Sequence, residues 1–382
     1  MNNVHNIADL RRIARGRLPR IFFDYIDGGA NAEVTMAANE SEFSRYRLRQ
    51  HVLRDVSKRD LSVEFLGRRH ALPLMLGPVG FLGMFARKGE VQAARAAGAA
   101  GIPSCVSAFS ICPVDEVARS APGACVYSQL YVLRNRDITE AMIARAEATG
   151  AEALFLTVDT AANPLRERDA RNGFRNLTRP TPGQWLNMFT RPRWCLAMVA
   201  DGTPEVGHAR AAGFGRGVME QAGNLAREMD QALSWADVDW LRARWPRRLV
   251  IKGVLEAEDA RRAVDAGADA VVVSNHGGRQ LDYASSTILA LPRVADAVSG
   301  RIEVLVDGGF RRGAHMAMAL ALGASAISIG RPQAWGVAAG GEAGVARVIA
   351  LLAAELDATL ALMGLASVDE LRALGRDALH IL

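Results

Sequence analysis

The sequence predicts an α/β fold: eight parallel strands closed into a (β/α)8 or TIM barrel, with an N-terminal helical extension and a long loop after strand 4. Two observations carry this expectation. Short, continuously apolar runs recur along the chain, each ending in polar or glycine residues, and most lead into alanine-rich, charged segments of helical character. Apolar strands alternating with helices imply a parallel sheet covered by helices. Eight such units are what closes a barrel, although periodicity cannot see closure and a doubly wound open sheet is the alternative.

The first 70 residues precede the barrel and carry FFDYIDGGA from Phe22, an aromatic run that stops at two glycines. Strands are read at LPLMLGPVG from Leu72, IPSCVSA from Ile102, ACVYSQLY from Ala124 and ALFLTVD from Ala153. Four more follow: LVIKG from Leu249, AVVVSNHG from Ala270, EVLVDGG from Glu303 and AISIGR from Ala326. Between strands lie GEVQAARAAGAAG, TEAMIARAEATG, AEDARRAVDAGA and GAHMAMALALGA, most closing on a glycine suited to a left-handed C-cap. One connection breaks the rhythm, from Thr160 to about Trp245, with an insert at about 170–235 containing TRPRWCLAMV and the glycine-rich AAGFGRG. A loop of that length is usually functional or mobile. The chain thus reads as a single domain over 1–382, an extension to residue 70 and a barrel from 71.

Composition narrows the function classes. A length of 382 residues suits one barrel with extensions, and 50% hydrophobic with 23% charged residues suits a soluble protein with a substantial core. The net charge of +5 is too mild to imply nucleic acid and suits anionic substrates or an anionic membrane surface. Cys105, Cys112, Cys125 and Cys195 show neither CxxC spacing nor a neighbouring histidine cluster, so neither a metal site nor a disulfide framework is expected. The N-terminus lacks the apolar core of a signal peptide, and no apolar window is long enough to span a bilayer, so a cytoplasmic setting is expected. Asn176-Leu177-Thr178 matches a glycosylation sequon but carries no weight without a secretory signal.

In a barrel of this type the active site lies at the C-terminal strand ends. Polar residues stand there on all strands but the first: Ser107; Gln129 and Tyr131; Thr157 and Asp159; Lys252; Ser274, His276 and Arg279; Asp307 and Arg311; Gly330 and Arg331. VDGGFRRG and SIGRP end strands seven and eight, where glycine backbone and arginine suit a phosphate; a plain turn and a surface cation are the alternative. Lys252 reads three ways: a cation against developing negative charge, a Schiff-base nucleophile or a structural ion pair. His276 is the side chain best matched to proton abstraction near neutral pH, Arg279 could hold a carboxylate, and Asp159 could orient the imidazole.

With these residues assembled, the chain resembles the FMN-dependent L-2-hydroxy acid dehydrogenases and oxidases. The resemblance rests on RLPRIFFDYIDGGA, GPVGFLGMFARKGE, QLYV, TVDT, IKGV, SNHGGRQLD, DGGFRRG and IGRP, in order over essentially the whole length. RERDARNGF, TRPRW and LSWADVDWLRARWP look closest to the mandelate dehydrogenase branch. The resemblance implies FMN as cofactor and oxidation of a mandelate-like acid or lactate to the 2-oxo acid. Electrons would pass to membrane quinone or, alternatively, to O2.

It implies His276 as base with Asp159, Tyr131 near the substrate hydroxyl, and Tyr25, Arg166 and Arg279 around the carboxylate. Lys252 would face the flavin, which selects among the three lysine readings. Pro78, Val79, Gly80, Ser107, Gln129, Thr157 and Ser274 would also adjoin the cofactor. Asp307 would hold the ribityl chain, with Gly308, Gly309, Arg311, Gly330 and Arg331 about the phosphate. Gly80 stands where oxidases of small substrates carry alanine, which implies room for a larger acid.

The resemblance further implies a homotetramer. In the insert, Trp185, Met188, Phe189, Trp194, Leu196 and Met198 are interleaved with Arg191 and Arg193, a composition suited to peripheral contact, through about 180–200, with the inner face of the cell membrane. A mobile lid over the substrate is the other reading.

Overall fold

The computed structural model describes Met1 and residues 3–174, 180–199 and 204–382; the sequon at 176–178 lies outside these. All eight expected strands form. They are β1 (Leu74–Leu76), β2 (Ser104–Val106), β3 (Val126–Leu130), β4 (Ala153–Thr157), β5 (Arg248–Val254), β6 (Ala270–Val273), β7 (Glu303–Val306) and β8 (Ala326–Ile329). Each pairs in parallel with its neighbour, and Ile327 of β8 registers with Leu74 of β1, which closes the ring and excludes the open sheet. Every residue of β1, β2, β4, β6 and β8 is buried. Continuous apolarity follows from that position, with barrel interior on one side and helices on the other. Gly267 and Gly323 end their helices at φ 72° and 105°, the left-handed region that stops a helix without steric cost.

The two ends of the barrel are treated differently. Val63–Phe65 and Arg68–His70 form an antiparallel pair at the N-terminal end, where Leu66 N donates to the Glu303 carboxylate at 2.9 Å. The C-terminal end is left for chemistry and is crossed by the extension, which comprises α1 (Ile7–Arg17), α2 (Arg20–Asp27) and α3 (Val34–Ser41). Helix α1 buries Ile7, Leu10 and Ala14 and is capped by the Asn6 side chain on Asp9 N.

The loop after β6, VVVSNHGGRQLD, fastens this extension down. Ala30 N donates to Gly278 O at 2.9 Å, Asn39 and Asn275 exchange amide hydrogen bonds at 2.9 Å, and Thr35 N donates to Asp282 at 2.8 Å. A Cβ on Gly278 would fall 2.6 Å from the Met36 backbone, so a side chain there would push the extension off the barrel.

The long connection after β4 is present, and its described residues are mainly helical. Helices span Glu167–Asn172, Pro182–Phe189, Pro192–Val199, Gly207–Ala211, Val218–Glu228 and Trp235–Arg244. Pro182–Phe189 opens with proline in its first turn and a Thr181/Gln184 capping box. At eight residues or fewer, four of these helices are too short to show a helical period in sequence.

Candidate active site

A cavity of about 540 Å³ opens at the C-terminal end of the barrel. Its walls include Pro78, Val79 and Gly80 after β1, Ser107 after β2, Tyr131 after β3, Lys252 on β5, and His276 and Arg279 after β6. Asp307, Gly308, Gly309 and Arg311 follow from β7, Gly330 and Arg331 from β8, Arg166 from the insert and Tyr25 from α2. Gln129, Thr157, Asp159 and Ser274 stand behind this lining. Gln129 bridges inward, accepting from Ala108 N at 3.0 Å and donating to Thr157 Oγ1 at 3.0 Å. Ser274 Oγ accepts from Lys252 Nζ at 3.0 Å and from His276 N at 3.1 Å.

His276 is held by its backbone and by Asp159. Its φ of 57° is a left-handed conformation that costs a non-glycine residue about 1–3 kcal/mol and aims the ring away from the strand axis. Nδ1 lies 2.9 Å from Asp159 Oδ1. Burial pushes the Asp159 carboxyl up, but His276 and Lys252 together hold it below its usual range. An ionised carboxylate only accepts, so the hydrogen sits on Nδ1 and Nε2 carries the free lone pair. Burial also lowers the His276 pKa, with Lys252 and Arg166 adding to it and Asp159 opposing. The imidazole is therefore neutral near pH 7.

Lys252 behaves in the opposite sense. Burial acts to lower its pKa, but Asp307, with Oδ2 at 3.2 Å, and Asp159 raise it above the ordinary value. A Schiff-base lysine needs a neutral amine, so this site favours the fixed cation. Asp307 Oδ1 is buried without a partner among the described residues and is free to accept from a ligand hydroxyl.

Positive charge accumulates around the cavity. Arg166 is lowered to about 10, first by burial and then by Arg279. Arg331 is lowered to about 9 by burial, with Arg279 and Arg311 adding. Guanidinium groups lowered by burial and by neighbouring cations in one cavity call for anions. The helix that begins at Arg331, and kinks at Gly340 and Gly341, starts after Gly330 without a side-chain cap, leaving its first N–H groups available for one of them. A Cβ on Gly309 would lie 1.8 Å from Asn39 O, so only bare backbone fits beside the extension. Arg331 itself spends much of its fork on the protein, donating to Ile26 O at 3.2 Å, Gly277 O at 2.7 Å and Gly28 O at 2.8 Å. Arg279 donates to Tyr25 O at 2.6 Å and stacks over the Tyr25 ring at 4.8 Å.

Tyr25 and Tyr131 were expected in the site, but the rings that join them, Phe174, Phe81 and Phe109, were given no role by the sequence reading. Phe174, Tyr25, Phe81, Phe109 and Tyr131 form an unbroken chain of ring contacts with centroids 4.6, 5.5, 5.9 and 5.6 Å apart in turn. Met219, Ala222, Gly223 and Ala226 line the cavity from the helix Val218–Glu228. Their i, i+3, i+4, i+7 spacing was a usable signal; Phe174 had none.

The sequence profile of the FMN-dependent dehydrogenases matches residues 14–377. The chain belongs to this family. An L-lactate dehydrogenase of Caulobacter vibrioides is 47% identical over 372 residues, covering 96% of this chain and 97% of that one. The crystal structure of the monotopic membrane protein (S)-mandelate dehydrogenase superposes with a TM-score of 0.94 at 39% identity, covering 100% of both chains. A mandelate oxidase gives 0.83 at 37% identity, covering 99% of this chain and 98% of that one. As a member of the FMN-dependent dehydrogenases the enzyme uses FMN, and the cavity fits it: the flavin's phosphate matches the cation cluster and capless helix N-terminus, and its ribityl hydroxyls match the unpartnered Asp307 oxygen.

Proposed function

We propose that this flavoenzyme oxidises an L-2-hydroxy acid bearing an aryl-sized side chain to the 2-oxo acid and passes the electrons to membrane quinone. The observation that carries the reading is a neutral imidazole backed by an ionised Asp159, in one cavity with the guanidinium groups of Arg166 and Arg279. FMN, held by the loops after β7 and β8 with Lys252 and the β1–β3 loops beside it, supplies the acceptor for two electrons.

The residues of the chain do the rest. Arg279 and Arg166 bind the substrate carboxylate, Arg166 remaining charged at neutral pH, and the stack on Tyr25 fixes the Arg279 plane. Tyr131 stays protonated, its pKa raised by burial and then by Asp159, and so can donate to the substrate oxygen. His276 Nε2 accepts a proton from the substrate, and Asp159 stabilises the resulting imidazolium through Nδ1–H. Lys252 presents a fixed positive charge to the cofactor.

The chain of aromatic rings and the small-residue face Ala222, Gly223 and Ala226 suit an apolar side chain larger than methyl. A Cβ on Gly223 meets nothing within 4 Å.

The acceptor assignment rests on the pair of helices Pro182–Phe189 and Pro192–Val199. Trp185, Leu186, Phe189 and Leu196 are exposed there, an apolar surface of the kind that lies in a membrane interface. Met188 is buried and Trp194 packs inward on Phe22 at 5.1 Å, so these two, expected at the outer surface, instead face the protein, and Trp194 ties the hairpin to α2. Among the described residues no helix is long and apolar enough to cross a membrane. Steady-state kinetics with mandelate, lactate, glycolate and a long-chain 2-hydroxy acid, each with quinone and with O2 as acceptor, test the whole proposal. Turnover with an aryl acid and quinone on membranes is expected; comparable turnover with O2 by a protein that never sediments with vesicles would replace it with a soluble oxidase.

A further inference from the structure

SNHGGRQLD contains one buried polar side chain to which neither the sequence nor the proposed chemistry gives a task, Gln280. Its amide is engaged at both ends. Nε2 donates to Asp159 O and to Ala162 O, both at 3.1 Å, and Oε1 accepts from Arg166 Nη2 at 3.3 Å. The two carbonyl acceptors and the guanidinium donor fix which end is nitrogen, because the flipped amide would set donor against donor at Arg166 and acceptor against acceptor at both carbonyls. One side chain thus ties the loop after β6, which carries His276 and Arg279, to the segment after β4, which carries Asp159 and Arg166.

The charge state of this tie matters as much as its reach. Burial and the neighbouring Arg279 charge both work against the proton on Arg166, and a substrate carboxylate needs Arg166 as a cation. A carboxylate in place of the amide would pair with Arg166 and quench the charge before substrate arrives. A neutral acceptor orients the guanidinium and leaves its charge unspent.

We propose that Gln280 is a positioning residue for substrate recognition: it sets Arg166 against the substrate carboxylate and holds the Asp159 loop in register with the base, as a deliberately uncharged partner. The proposal rests on the assignment of Arg166 and Arg279 to the carboxylate.

The test compares the FMN-loaded wild type with Q280E, isosteric but anionic, and Q280M, apolar and of similar length. KM and kcat are measured with (S)-mandelate, and the dissociation constant of oxalate is read from the perturbed flavin spectrum. In both variants KM and the oxalate constant should rise by roughly tenfold or more, the scale of a lost hydrogen bond to a charged group, and further in Q280E than in Q280M. Flavin content should match the wild type and kcat should change less than KM. Unchanged KM and oxalate binding in Q280E would overturn the proposal, as would a parallel fall of kcat, carboxylate affinity and flavin content, the mark of a purely structural role. Q280E decides alone if Q280M does not fold. A wild type that neither binds oxalate nor oxidises any 2-hydroxy acid would instead remove the assignment beneath it.

Discussion

His276 Nδ1 and Asp159 Oδ1 stand 2.9 Å apart, joining the loop after β6 to the loop after β4 across the end of β5. The pair fixes the tautomer, leaves Nε2 as the free base, and provides a counter-charge for the imidazolium once a proton has arrived. Asp159→Asn keeps the shape and removes that charge. In D159N kcat should fall about 10²–10⁴-fold, with KM moving far less, in steady-state assays with saturating acceptor.

The pH profile follows from burial of the same histidine. Its pKa lies below the ordinary 6.5, chiefly through desolvation, and only the neutral form accepts a proton. kcat/KM should therefore be flat at neutral pH and fall on the acid side with a midpoint below 6.5. In D159N the midpoint should move lower still, because Asp159 is the group that opposes the shift.

Lys252 gives the complementary test. Asp307 is the largest influence raising its pKa against burial. Asp307→Asn should leave turnover near the wild-type value at neutral pH but introduce an alkaline fall in kcat at lower pH than in the wild type, as the buried ammonium loses its counter-ion. Replacing Lys252 by Met should abolish that difference between the Asp and Asn backgrounds.

The exposed hairpin predicts a separable membrane function. Changing Trp185, Leu186, Phe189 and Leu196 to Ser should release the enzyme from anionic vesicles in a sedimentation assay, since each apolar side chain moved out of water contributes on the order of 1 kcal/mol or more. Turnover with a soluble dye acceptor should persist, because these side chains point away from the cavity while Met188 and Trp194 maintain the inner packing.

The proposed function makes the helix Val218–Glu228, which lines the cavity, the limit on substrate size. Gly223→Leu, placed where a Cβ meets open space, should reduce kcat/KM for mandelate by about 10–200-fold and leave lactate within a few-fold. Equal losses for both acids would mean that the helix supports the fold rather than the side-chain pocket.

The barrel strands were legible because burial on both faces leaves a continuous apolar run, and the strand-end residues were legible because a barrel puts its loops at one end. Closure itself was not, since β8 meets β1 through a register that no local pattern records. The insert's short helices carried too few turns to show a period. Phe174 reaches the cavity only because its ring stacks on Tyr25, a contact between residues 149 positions apart, and Arg331 gave no hint in sequence that its fork would be taken up by the carbonyls of Ile26, Gly28 and Gly277. Gln280 sat in full view in SNHGGRQLD, yet its task depends on three partners far away in the chain.

The most direct test of His276 as the base is anaerobic mixing of the purified enzyme with (S)-mandelate while flavin absorbance is followed in a stopped-flow instrument. The wild type should bleach rapidly, and His276→Gln, with its flavin still bound, should bleach at least about 10³-fold more slowly at the same substrate concentration. Bleaching of H276Q at the wild-type rate would contradict the account.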